Sequence, residues 1–116
     1  MDDRLKSALS FANYQHTLTN QRRLMKEKFN SSLLYGYNGG VFKVDQTLIN
    51  FVQFLISRDR QYNFPIIDSN QNPILIDNLE IFLENILNVY VSASLEYYNE
   101  YEIIKKSRSV EKLLDL

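Results

Sequence analysis

Residues Asp77–Lys106, DNLEIFLENILNVYVSASLEYYNEYEIIKK, run for thirty residues without a proline or a glycine. Apolar side chains recur at Leu79, Phe82, Ile86, Tyr90, Ala93, Tyr97, Tyr101 and Ile104, the spacing of one face of an α-helix. At ~1.5 Å per residue that helix is roughly 45 Å long. A globule of this chain length has a radius of gyration near ~13 Å, so a diameter of roughly 35 Å. The helix outruns the globule meant to cover it. Either it breaks, or another chain covers part of its apolar face. This points toward assembly rather than catalysis.

Upstream of the helix, Asp77 and Glu80 form a D-x-x-E pattern that reads as a capping box. Before it, Phe64–Ile76, FPIIDSNQNPILI, reads as a hairpin whose turn is supplied by Asp68, Ser69, Asn70, Gln71 and Asn72. Pro65 and Pro73 lack a ladder donor and belong at an edge or a strand start. Leu33–Val44, LLYGYNGGVFKV, is a second β-rich stretch centred on Asn38-Gly39, the strongest short-range hairpin signal. Asp45 is a suitable N-cap for a helix to about Arg58. Its core face comprises Leu48, Val52, Leu55 and Ile56, and Phe51 and Phe54 widen that face, so it is expected to be the most buried helix. A first helix, from about Arg4 to Phe29, carries Ala8, Phe11, Leu18, Met25 and Phe29, with a stop at Asn30-Ser31-Ser32.

The order is helix, hairpin, helix, hairpin, long helix. This predicts a helix-dominated α+β fold in which the hairpins join into one small antiparallel sheet packed on the helices, because an isolated hairpin is marginal in water. Residues 1–106 are expected to form a single domain. Ser107–Ser109 reads as a break, and residues 107–116 as a short C-terminal helix or a tail.

Composition narrows the class of protein. The chain has 116 residues, enough for one domain, with a net charge of −1 that argues for neither a nucleic-acid nor a membrane-surface protein. The absence of cysteine removes disulfides, thiolate nucleophiles and Cys-based metal sites, and fits a reducing compartment. The acidic start MDDRLKSALSFANYQHT lacks the apolar run of a signal peptide. No apolar stretch approaches ~18 residues, so no membrane span is expected.

No motif names a reaction. His16 is the only histidine, with no carboxylate at helical spacing around it, and reads as a structural or surface residue. Asp68, Asp77, Glu80 and Glu84 are the nearest approach to a carboxylate cluster. Capping, turn chemistry and a solvated helix face account for them. The Asp68 loop lacks the glycine and the closing glutamate of an EF-hand. Gly36, Gly39 and Gly40 do not form a phosphate loop, and Ser31 and Ser32 lie in no nucleophile motif. No catalytic residue, cofactor or metal is expected.

Charge and tyrosine are unevenly placed. Residues 1–30 hold six Lys and Arg against three Asp and Glu, whereas residues 77–104 hold six acidic residues and no basic one. Basic helix one can therefore pack on the acidic long helix, within a chain or between chains. Tyr90, Tyr97, Tyr98 and Tyr101, with Ile104, suit a protein interface. Stacking of bases on these tyrosines is opposed by Glu96, Glu100 and Glu102. If the helix ends came together, Arg22, Arg23, Lys26, Lys105, Lys106 and Arg108 would make a phosphate-binding patch. At the C-terminal end, Val110, Leu113, Leu114 and Leu116 either dock in a partner's groove or fold back on the core.

The segments GYNGGVFKVD, PIIDSNQNPILIDNL and EYYNEYEIIKKSRSVEKLLDL resemble small uncharacterised proteins of T4-like phages of marine bacteria. The resemblance implies the cytoplasm of an infected bacterium, allows a clamp-docking tail, and carries no functional residue across. The expectation is a cytoplasmic, non-catalytic interaction or assembly protein that forms homo-oligomers through its long helices. The alternative is a nucleic-acid-binding accessory factor using the basic helix ends.

Overall fold

Asn38 and Gly39 adopt φ values of 48° and 82°, so the turn closing the first hairpin has both central residues in the left-handed region. That geometry matches the right-handed twist of the flanking strands, which is why Asn-Gly selects it. The structure is a computed structural model describing the backbone of residues 2–114 and the side chains of residues 2–106. Its elements are α1 (Asp3–Ser32), β1 (Leu34–Tyr37), β2 (Gly40–Lys43), α2 (Gln46–Ser57), β3 (Tyr62–Ile67), β4 (Pro73–Asn78) and α3 (Leu79–Leu114). The fold is helix-dominated α+β. Its contacts gather into two units: Asn30–Leu95, and the residues up to Phe29 with those from Glu96 onward.

In the first of these units, β1 pairs with β2 and β3 with β4, each pair antiparallel and each a separate two-stranded sheet. The single joint sheet expected from the sequence does not form. The register explains why. Asp68 N–H donates to Asn72 O at 2.9 Å, so ladder bonds alternate outward from there, and Pro65 and Pro73 fall where the backbone points away from the partner strand. Each proline thus denies a donor to an outer edge, which blunts strand addition.

The core of this unit contains Phe42, Val44, Val52, Leu55, Ile66, Ile76, Leu79, Phe82 and Ile86. Phe82 sits at its aromatic centre, edge-on to Phe42 at 5.2 Å and to Tyr37 at 5.6 Å between ring centroids. Burying side chains of this size stabilises a fold by ~1.5–3 kcal/mol each.

The helix ends correct three expectations. Asp45 caps α2 as anticipated, its carboxylate accepting from Leu48 N–H at 2.7 Å. The cap of α3 is Asn78, not Asp77: Asn78 Oδ1 accepts from Glu80 N–H at 2.9 Å and from Ile81 N–H at 3.3 Å. Asp77 is still in β4, so no Asp77–Glu80 capping box exists. α1 runs through Asn30-Ser31-Ser32, and the backbone of α3 runs through Ser107–Ser109 without a break. α2 buries Val52 and Leu55, but Phe51 and Phe54, expected to widen its core face, are exposed.

Candidate interaction surfaces

Asp68 is the buried charged side chain among the described residues, 4% exposed. Its carboxylate accepts backbone N–H groups from Asn72 at 2.8 Å, Asn70 at 3.0 Å and Val41 at 3.1 Å. The bond from Asn72 does most to hold its pKa below the ordinary carboxylate value. Desolvation opposes this, and the bonds from Val41 and Asn70 add to it. The neighbouring Ser69 donates its N–H to Val41 O at 2.9 Å and accepts Lys43 N–H on its Oγ at 3.0 Å. Val41 and Lys43 are the outward-facing residues of β2, so the turn of the second hairpin occupies the edge where a third strand would pair. Asp68 is therefore a clasp between hairpins. The sequence showed its turn chemistry but not its partner 27 residues away.

An open groove of about 530 Å³ lies between α2 and β3, with Leu48, Phe51, Phe64, Pro65 and Ile67 among its lining. Its polar groups, Lys43, Asp45, Thr47, Asp68 and Ser69, are mixed in sign, and Asp45 and Asp68 are occupied by capping and clasping. They form no convergent constellation for chemistry.

The other unit is built from two helices. Phe29 meets Tyr97 edge-on with ring centroids 4.6 Å apart, and Lys28 Nζ bonds Glu100 at 2.6 Å and Glu96 at 2.9 Å. As α1 is followed back toward Gln21, the facing residues of α3 advance to Ile104, so the helices are antiparallel. Basic helix one thus meets the acidic helix within the chain. The hydrogen bonds of Glu100 first, then Glu96, hold the Lys28 ammonium above the ordinary lysine value. Between the helices an open groove of about 350 Å³ is lined by Gln21, Leu24, Met25, Lys28, Glu100, Ile103 and Ile104. Leu24 and Ile103 are exposed by 53% and 64%.

The sequence-predicted residues fall as follows. Tyr90 is half-buried against the core and accepts from Gln46 Nε2 at 3.1 Å. Tyr97 is engaged by Phe29. Tyr98 and Tyr101 are exposed, and Ile104 lines the groove. Arg22, Arg23, Lys26, Lys105 and Lys106 are exposed on the same helix pair, but Arg23 is committed to Glu27 at 3.0 Å and Asn20 at 2.8 Å. The side chains of Arg108, Val110, Leu113 and Leu114, and all of Leu116, lie outside the described residues. His16 is exposed, and no group of three or more potential metal ligands gathers among the described residues. No described helix is long and apolar enough to cross a membrane. Sequence reading missed Leu24 and Ile103. Their signal was present: each adjoins a stripe residue, Met25 or Ile104, and so widens the apolar face on the same side of the pair.

Comparison with protein-family models, curated proteins and solved structures finds no match to this chain.

Proposed function

We propose that this chain is a non-catalytic assembly protein that associates with a second copy of itself through the helix pair formed by α1 and the distal part of α3. One observation carries the reading. Among the described residues this unit buries only Leu18 and Met25, while Leu5, Leu9, Phe11, Leu24, Tyr98, Tyr101 and Ile103 remain exposed. Residues 2–13 are exposed throughout. Helices in proteins draw most of their stability from tertiary packing, and a segment of about twelve residues is marginal alone. Phe11 lies one heptad before Leu18 and two before Met25, on the stripe that packs inward further along, yet it is 64% exposed. Two such pairs make a four-helix bundle, in which each covers the other's open face. The lack of cysteine suits a cytoplasmic setting. Sedimentation equilibrium across a concentration series tests the reading, and a single monomeric species throughout contradicts it.

A second reading, a nucleic-acid accessory role, is favoured by the exposure of Arg22, Lys26, Lys105 and Lys106 on one helix pair. It is weaker, because Glu96, Glu100 and Glu102 share that stretch of α3. Its test is salt-dependent binding of DNA or RNA that the four alanine substitutions abolish.

A further inference from the structure

We propose that the outer edge of β1 is a further self-association site, at which β1 of one copy pairs antiparallel with β1 of another about a two-fold axis at Tyr35. This contact lies in the Asn30–Leu95 unit and does not rest on the reading of the helix pair.

The hairpins guard their other edges. On β2, Asp68 and Ser69 engage both outward residues, Val41 and Lys43. On β4, Asn38 Nδ2 donates to Leu75 O at 3.3 Å, and Pro73 has no N–H to offer. On β3, Pro65 lacks that donor too. Proline, charge and covering groups are how proteins blunt a sheet edge. β1, Leu34-Tyr35-Gly36-Tyr37, carries neither a proline nor a charge, and it pairs with β2 alone. Val44 N–H donates to Leu33 O at 2.7 Å, so the bonded pairs of this hairpin continue through Tyr35 and Tyr37, and the N–H and C=O groups of Leu34 and Gly36 point outward. Both residues are exposed, Leu34 by 54%. Beyond its chain neighbours, a Cβ at Gly36 would meet only Gly40 O of its own hairpin, at 3.9 Å.

These two outward residues select the occupant. Pairing about Tyr35 sets Leu34 of each copy opposite Gly36 of the other, and both are bonded pairs, giving about four hydrogen bonds. Leu34 and Gly36 share one face of the strand, so the exposed leucine of each copy covers the bare glycine of the other. Tyr35 and Tyr37 lie on the opposite face, packed against their own core. One patch thus supplies both the knob and the gap, which an isologous contact requires. With no charge on the edge, the two-fold sets no like charges opposite each other. So short a contact is weak, and it is read by covalent trapping rather than by mass at tens of micromolar.

The chain has no cysteine, so a single introduced thiol reports the contact. The pairing places the two copies of Leu34 on a strand diagonal, about 7–8 Å apart, within reach of a short bismaleimide. The expected result is a covalent dimer from Leu34→Cys and none from Val41→Cys, on the guarded edge of the same hairpin. Gly36→Pro removes an outward donor and no bond of the β1–β2 ladder. Added to Leu34→Cys, it should cut the crosslinking yield about 10-fold at unchanged circular dichroism. If Gly36→Pro alters the spectrum, Gly36→Lys takes its place, setting like charges on the edge without touching the backbone. A Leu34→Cys chain that crosslinks no better than Val41→Cys, or equally well with Gly36 replaced, overturns the assignment. Sedimentation equilibrium of the unmodified chain reads the helix-pair association separately, so either contact can fail while the other stands.

Discussion

The backbone N–H of Val41 donates to the carboxylate of Asp68 across 3.1 Å, tying the outer edge of one hairpin to the turn of the other. Two-stranded sheets are marginal alone, and here the link between them is a side chain rather than a third strand. Asp68→Ala removes the acceptor of three backbone donors, those of Val41, Asn70 and Asn72. A thermal melt should fall by several degrees, with a smaller fall for Asp68→Asn, which keeps one acceptor oxygen.

The same clasp sets an acid response. The folded pKa of Asp68 lies below its unfolded value of ~4. The folded state therefore binds the proton less tightly, so the carboxylate's contribution is complete above ~pH 4 and is lost as pH falls through the folded pKa. Urea unfolding from pH 6 to pH 2 should show a constant gap between the protein and Asp68→Asn above ~pH 5 that narrows below ~pH 4. A gap of equal size at all pH values would assign the effect to packing.

Gly40 is buried, and a Cβ there would stand 2.5 Å from Ile74 Cγ1 and 2.9 Å from its Cδ1. Gly40→Ala should cost ~1–3 kcal/mol by overpacking, and Ile74→Ala in the same chain should recover part of that cost. Gly39→Ala meets no neighbour within 4 Å but is held at φ 82°; its cost, ~1–2 kcal/mol, comes from the backbone and is not relieved by Ile74→Ala. Denaturant titration of the four chains separates the two mechanisms.

The corrected cap is testable in the same way. Asn78→Ala should destabilise by ~1 kcal/mol. Asp77→Ala, on an exposed strand residue, should stay within ~0.5 kcal/mol. At the core, Phe82→Ala should cost ~3–5 kcal/mol.

What the sequence made legible was local. Asn38-Gly39, Asp45 and the stripe from Leu79 to Ile86 declare themselves through backbone conformation or helical period within a few residues. What it hid depends on distant partners. The hairpins stay separate because Asp68 and Ser69 fill the edge of β2, a relation spanning more than twenty residues. Asp77 and Asn78 are both acceptable caps, and the choice follows from where β4 ends, with Asn78 still paired to Tyr62. Phe51 and Phe54 look like core by composition but are both exposed, Phe51 along the open groove beside β3. The long helix does not break in its covered part. Its distal face is instead met by α1, through Phe29 and Lys28.

The central claim is that the α1–α3 pair is completed by a second copy, and mass in solution tests it most directly. Light scattering on a sizing column, at loads up to tens of micromolar, should give a mass near 27.4 kDa, twice the chain mass of 13.7 kDa. A constant mass of 13.7 kDa at every load would contradict the account.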